Sequence, residues 1–235
     1  MASIDAVRRK IYRAKEHWDE LWKELTAYYQ SNPGDLFPAE ESTPENPLFI
    51  FKERKPVPAR IGLIFGDALQ CLRSSLDYLV WELVEAAGNT PHRKLMFPVA
   101  LTSEQYESDL KRHRLDGVAP EAIATIERFQ PYLQPNPKET VLGILDELTN
   151  VNKHRRVIFT ALHGVAGDLP PSFPYIMGVV RNVSPEGVVL SEVPIRGVLT
   201  LQEGLLKSIE ITNCIDTAAR FISEEMLPQF ERFFK

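Results

Sequence analysis

The sequence predicts an α+β fold, a mainly helical bundle of four to five helices followed by a small antiparallel β-sheet and a C-terminal helix. Three observations predict it. The stretch Ala59 to Ala87 is apolar on nearly every side at helical spacing, as a central buried helix requires. Ahead of it, Ile4, Val7, Ile11, Ala14, Trp18, Leu21, Leu25 and Tyr28 recur in steps of three and four, giving one narrow apolar seam. After Arg156 the period changes to the alternation and β-branched density of strands.

In chain order, a long amphipathic helix is expected from Ser3 to Gln30, ended by Ser31-Asn32-Pro33-Gly34. A proline-rich acidic loop to Pro47 follows, then a short strand at Leu48 to Lys52. The central helix starts near Ala59 and is closed by Gly88-Asn89-Thr90-Pro91. A helix opening at Thr102 or Ser103 has capping-box spacing to Gln105, and Pro120 suits the first position of a helix running to Gln130. A fifth helix is expected over Lys138 to His154, with Val141, Ile144, Leu145, Leu148 and Val151 on its apolar side. The segments VIFTALH, YIMGVVRNV, GVVLSEV, GVLTL and LKSIEITN read as strands, with Ser184-Pro185-Glu186-Gly187 as a turn joining the second and third. A last helix from about Asp216, interrupted near Pro228, presents Ile222, Met226, Phe230 and Phe233. The expectation is one compact domain: bundle to residue 155, strands over 156–213, and the helix over 214–235.

Composition narrows the function classes. At 235 residues, 44% hydrophobic and 25% charged, the chain is an ordinary globular protein and neither disordered nor fibrous. Its net charge of -5 argues against non-specific attraction to duplex DNA. Two cysteines, Cys71 and Cys214, are too few for a disulfide scaffold, which points to a cytoplasmic setting. Neither a signal peptide nor a membrane-length apolar run is expected. His92 and His163 lack metal-ligand spacing, so no metal and no cofactor is expected.

The candidate site lies in the central helix. Asp67, Gln70, Ser74, Asp77 and Trp81 fall on one stripe, and Arg73 precedes Asp77 by four. Ionised groups inside an apolar helix need partners. The later run Asn150 to Arg156, NVNKHRR, offers a histidine suited to proton exchange and cations suited to phosphate. The same basic residues also suit a helix C-terminus through its dipole. Lys111-Arg112-His113-Arg114 is a second basic cluster, placed to touch phosphates or to end a helix in solvent. Tyr78, Trp81, Trp18 and Trp22 stand at helical spacing as core or pocket lining.

Taken together, GDALQCLRSSLDYLVWELV at 66–84, MFPV at 96–99, FQPYL at 129–133 and LDELTNVNKHRRVI at 145–158 resemble a widespread family of uncharacterised bacterial proteins. Its members share a leucine-arginine-serine-x-leucine-aspartate-histidine run and a later lysine-histidine-arginine run. The helical part is in turn similar to the HEPN superfamily, four- or five-helix bundles that include metal-independent ribonucleases of toxin and defence systems. Those ribonucleases use an arginine followed after four to six residues by a histidine, often paired across a dimer. Here Arg73 holds the arginine's place and Tyr78 that of the histidine, so ribonuclease chemistry would rest on Arg73 for phosphate and His154 for the proton.

Three readings of function follow. One is a non-catalytic binding or regulatory module whose polar pocket, built from Asp67, Arg73, Asp77, Tyr78, Asn150, Lys153, His154 and Arg155, takes a nucleotide, RNA or phosphate-bearing ligand. The second is the metal-independent ribonuclease. The third is a homodimeric interaction module, with the N-terminal seam as its contact.

Overall fold

A computed structural model describes residues 2–38, 49–154, 162–166, 176–183, 189–199 and 211–234. Its helices are α1 Asp5–Gln30, α2 Ala59–Ala86, α3 Ser103–Lys111, α4 Pro120–Arg128, α5 Val141–His154, α6 Ile211–Arg220 and α7 Leu227–Phe230. Its strands are β1 Gly34–Pro38, β2 Phe49–Glu53, β3 Leu162–Ala166, β4 Ile176–Val183 and β5 Val189–Leu199. The chain divides into two compact units, Met1–Asp19 with Leu63–Val157 and Thr212–Lys235, and Glu20–Gly62 with Ile158–Ile211.

The α+β class does not hold. Among the described residues the chain is mainly helical, and the apolar residues described as buried lie on helices or on loops beside them. The strands expected after the fifth helix do not give the chain an α+β character: among the described residues they are few, with β5 between β3 and β4 in one antiparallel ladder and β1 paired with β2 in another ahead of α2. The physical reason lies in the helices: in the first unit α2 buries its apolar residues among helices and the loops beside them, and no strand among the described residues belongs to that unit. Pro194 and Gly197 lie within β5, which stays continuous through them, and its pairing with β4 shifts register beside Gly178 and Val183.

Individual boundaries move for local reasons. Gly34–Pro38 pairs with β2 instead of lying in a loop. The expected strand at LKSIEITN ends in helix, since α6 begins at Ile211; its earlier residues, like the turn at 184–187, lie outside the described residues. Residues 137–139 form a separate tight turn, so α5 starts at Val141 rather than Lys138. The last helix is broken before Pro228 by a wide turn over Phe221–Met226, in which the Leu227 N–H donates to the Ile222 carbonyl five residues back.

In the first unit, α2 is the centre. Ile64, Phe65, Ala68, Leu69, Leu72, Leu76, Leu79, Val80, Leu83 and Val84 are all buried. The start of α1 is tied to it by the Ser3 N–H on Glu82 Oε2 at 2.8 Å, and to the chain's end by Arg8 on Glu231 at 2.6 Å. Phe129 meets the rings of Phe221 and Phe230. In the second unit, Leu21, Leu25, Tyr28 and Ile61 are buried, Arg60 pairs with Glu20 and Glu24, and the Tyr28 hydroxyl donates to the Lys55 carbonyl at 3.0 Å.

Candidate functional site

The polar stripe of α2 is not tucked inside the bundle. Asp67, Gln70, Tyr78 and Trp81 are exposed and Ser74 and Asp77 half-buried, so the expectation of a buried Asp67 is corrected: its side of the helix meets solvent, where a carboxylate needs no ionic partner. Leu63 lies on the same face, 57% exposed. Tyr78 has the Lys10 ammonium 5.2 Å from its ring centroid.

Arg73 is different, because only 6% of it is exposed. Its Nη1 donates to Asp77 Oδ1 at 2.8 Å and its Nη2 to the Phe97 carbonyl at 2.9 Å. Its Nε faces Asp146 Oδ1 at 3.5 Å. Asp77 Oδ1 also accepts the Phe97 N–H at 2.9 Å, and Asn150 donates to Asp146 Oδ2 at 2.9 Å. Arg73 and Asp77 thus bind both polar backbone groups of Phe97, whose side chain is fully buried.

The neighbouring backbone is satisfied in the same way. Gln130 is 1% exposed; its Nε2 donates to the Pro98 carbonyl at 3.0 Å, and its Oε1 accepts the Ala100 N–H at 3.0 Å. The Tyr132 N–H then donates to the Ala100 carbonyl at 3.1 Å. A buried segment without helix or strand must find such partners, since an unmade backbone hydrogen bond is costly. The four motif segments therefore meet at one place: α2 supplies Arg73 and Asp77, the 96–99 segment the backbone to be satisfied, Gln130 its clamp, and α5 the carboxylate of Asp146.

Of the residues predicted to form a pocket, the structure brings together Arg73, Asp77 and, through Asp146, Asn150. Asp67 and Tyr78 stand apart on the exposed face. Lys153 and His154 end α5 with side chains outside the described set, and Arg155 lies outside the described residues. Asp146 and Gln130 were not foreseen. The four-residue step from Asp146 to Asn150 was the signal for the first, whereas nothing local marks Gln130.

A second polar site lies at the C-terminus of α3. The helix closes with the Arg114 N–H on the Asp109 carbonyl and the His113 N–H on that of Leu110. This places His113 at φ +64, in the left-handed region. Helix α2 closes with the same two-bond motif, Asn89 on Val84 and Gly88 on Glu85, and there the position is held by glycine at φ +78. A side chain in this conformation costs about 1 kcal/mol or more relative to glycine. The His113 ring is held by Asp116, Nδ1 to Oδ2 at 2.7 Å. With His92, Arg93 and Lys94 they line a cleft.

Burial, and then the 2.8 Å hydrogen bond its hydroxyl donates to Glu127, raises the pKa of Tyr132 to about 12. Burial likewise pushes the Cys214 thiol up to about 12, and raises that of Cys71. Among the described residues no group of three or more histidine, cysteine or acidic side chains could hold a metal ion. No helix among them is long and apolar enough to cross a membrane. Compared with protein-family models, curated proteins and solved structures, the chain matches none.

Proposed function

We propose that this protein is a non-catalytic, HEPN-like helical binding module for a nucleotide or other phosphate-bearing ligand, and that Arg73 is part of its scaffold. One observation carries the reading: the Arg73 guanidinium is committed on three sides, to Asp77, to the Phe97 carbonyl and to Asp146. An arginine that stabilises a phosphate in a transition state must offer it a free edge. Here two carboxylates neutralise the charge as well, so a phosphate approaching Arg73 would meet net negative charge. Recognition of phosphate then falls to basic groups elsewhere on the chain.

The test is calorimetry of the wild-type chain with ATP and pyrophosphate, alongside incubation with mixed RNA. Saturable binding without cleavage is expected. RNA cleavage that disappears in His154→Ala would replace this reading with the metal-independent ribonuclease. A homodimeric interaction module is the second reading, favoured by Leu63, Tyr78 and Trp81 standing exposed on one face of α2. The α1 seam does not serve it. Ile4, Val7, Ile11, Ala14, Leu21, Leu25 and Tyr28 are already buried within a single chain. Light scattering decides, a dimer that Trp81→Asp dissociates being the outcome in its favour.

A further inference from the structure

We propose that the cleft between the 92–94 loop and the end of α3 is the phosphate site, taking a small ligand by its di- or triphosphate chain and not by its base. This rests on the binding-module reading above and says where in the chain the ligand sits. The cleft is an open surface groove of about 350 Å³ lined by His92, Arg93, Lys94, His113 and Asp116. Such a groove suits a phosphate chain held by charge at the surface better than a buried ring. Apart from the two imidazoles no ring lines it among the described residues, so nothing there offers a stacking surface to a base.

Its donors are of the kind that bind phosphate. Arg93 and Lys94 are exposed, and neither pairs with a carboxylate among the described residues. Arginine gives a planar fork to phosphate oxygens and lysine a point charge. The Nδ1 of His92 accepts the Lys94 N–H at 3.2 Å, which leaves the ring proton on Nε2 as a donor. The one acid, Asp116, is engaged by His113. In a chain of net charge -5, such a corner stands out as the place for an anion.

The cleft is also fixed in shape. The Met96 N–H donates to the Arg114 carbonyl at 3.1 Å, Arg114 Nη1 to the Lys94 carbonyl at 3.3 Å, and Asn89 Nδ2 to the Gly117 carbonyl at 2.8 Å. These three bonds join the backbones of its two walls, so the ordering left for a ligand to impose falls on the side chains of Arg93 and Lys94. His113 is the second independent sign. It occupies a left-handed helix end where glycine would fold more easily, and strain of that kind at a cleft points to function.

That strain supplies the test. Calorimetry of the full chain at fixed ionic strength would use pyrophosphate, ATP and adenosine as probes. Pyrophosphate and ATP are expected to bind with affinities within about three-fold of each other, and adenosine not at all. Arg93→Gln with Lys94→Gln should weaken pyrophosphate at least about ten-fold. His113→Gly should weaken it about three-fold or more while the melting temperature stays level or rises, which a merely structural histidine would not do. If wild type binds pyrophosphate and the double variant stays within about two-fold of it, the site is wrongly placed and only this inference falls. Binding of ATP and adenosine without pyrophosphate would also overturn it, leaving the binding-module reading intact. Failure of every phosphate compound to bind would remove both.

Discussion

Replacing Arg73 with methionine tests the scaffold role most searchingly, because methionine fills much of the same volume and removes only the charge and its hydrogen bonds. The Phe97 carbonyl loses a charged donor, at about 1.5–3 kcal/mol. The two carboxylates lose their cation but can take up water, since the side chains of Asp77 and Asp146 are 38% and 33% exposed. Each of those pairs therefore contributes at the scale of a surface ion pair, about 0–1 kcal/mol. The sum is about 3 kcal/mol, the lower end of what breaking a buried pair costs. For a chain of this size that lowers the melting temperature by about 6–12 °C, at roughly 2–4 °C per kcal/mol. Asp77→Asn keeps an acceptor for the Phe97 N–H and should cost about 1 kcal/mol. The assay is urea and thermal unfolding followed by circular dichroism. A methionine variant as stable as wild type, with pyrophosphate binding abolished, would refute the reasoning and return Arg73 to the ligand.

Other positions give sharper signs than magnitudes. Tyr106 is 3% exposed and its hydroxyl has no hydrogen-bond partner among the described residues, so Tyr106→Phe should leave stability unchanged or raise it by up to about 1 kcal/mol in urea melts, because an unmade buried bond is removed. Gly143→Ala should destabilise by about 1–3 kcal/mol although alanine is the better helix former, since a Cβ there would stand 2.4 Å from the Pro137 carbonyl oxygen. With its thiol pushed up to about 12 and only 8% of the residue exposed, Cys214 should resist a disulfide reagent at pH 8 until the chain unfolds. Half-buried Cys71 should react first, slowly, because its thiol is raised too; two thiols titrating at once in the native protein would contradict this.

Much of the helical part was legible because its signals are local. The three-and-four spacing located α1 and α2, and Thr102 and Pro120 marked the starts of α3 and α4: the Gln105 N–H donates to Thr102 Oγ1 at 3.3 Å, and Pro120 opens its helix. The beginning of α6 was misread, since Ile209 and Ile211 alternate like a strand. The spacing Ile211, Ile215, Ala218, Ile222, all buried, was the better guide. The link from Arg73 to Asp77 could be read from a four-residue step, but those to Phe97 and Asp146 join residues 24 and 73 positions along the chain, and only packing sets them. For the same reason the motifs looked like chemistry. Polar residues that satisfy a buried backbone segment and polar residues that hold a ligand are the same types at the same spacings.

Hydrogen exchange at the Phe97 amide measures the central claim directly. This N–H lies in a segment with neither helix nor strand, yet it donates to Asp77 Oδ1 at 2.9 Å while Arg73 holds the carbonyl of the same residue. The scaffold account predicts protection comparable to that of the buried amides of α2, lost in Asp77→Ala. Exchange at the rate of an open loop in the wild-type protein would contradict it.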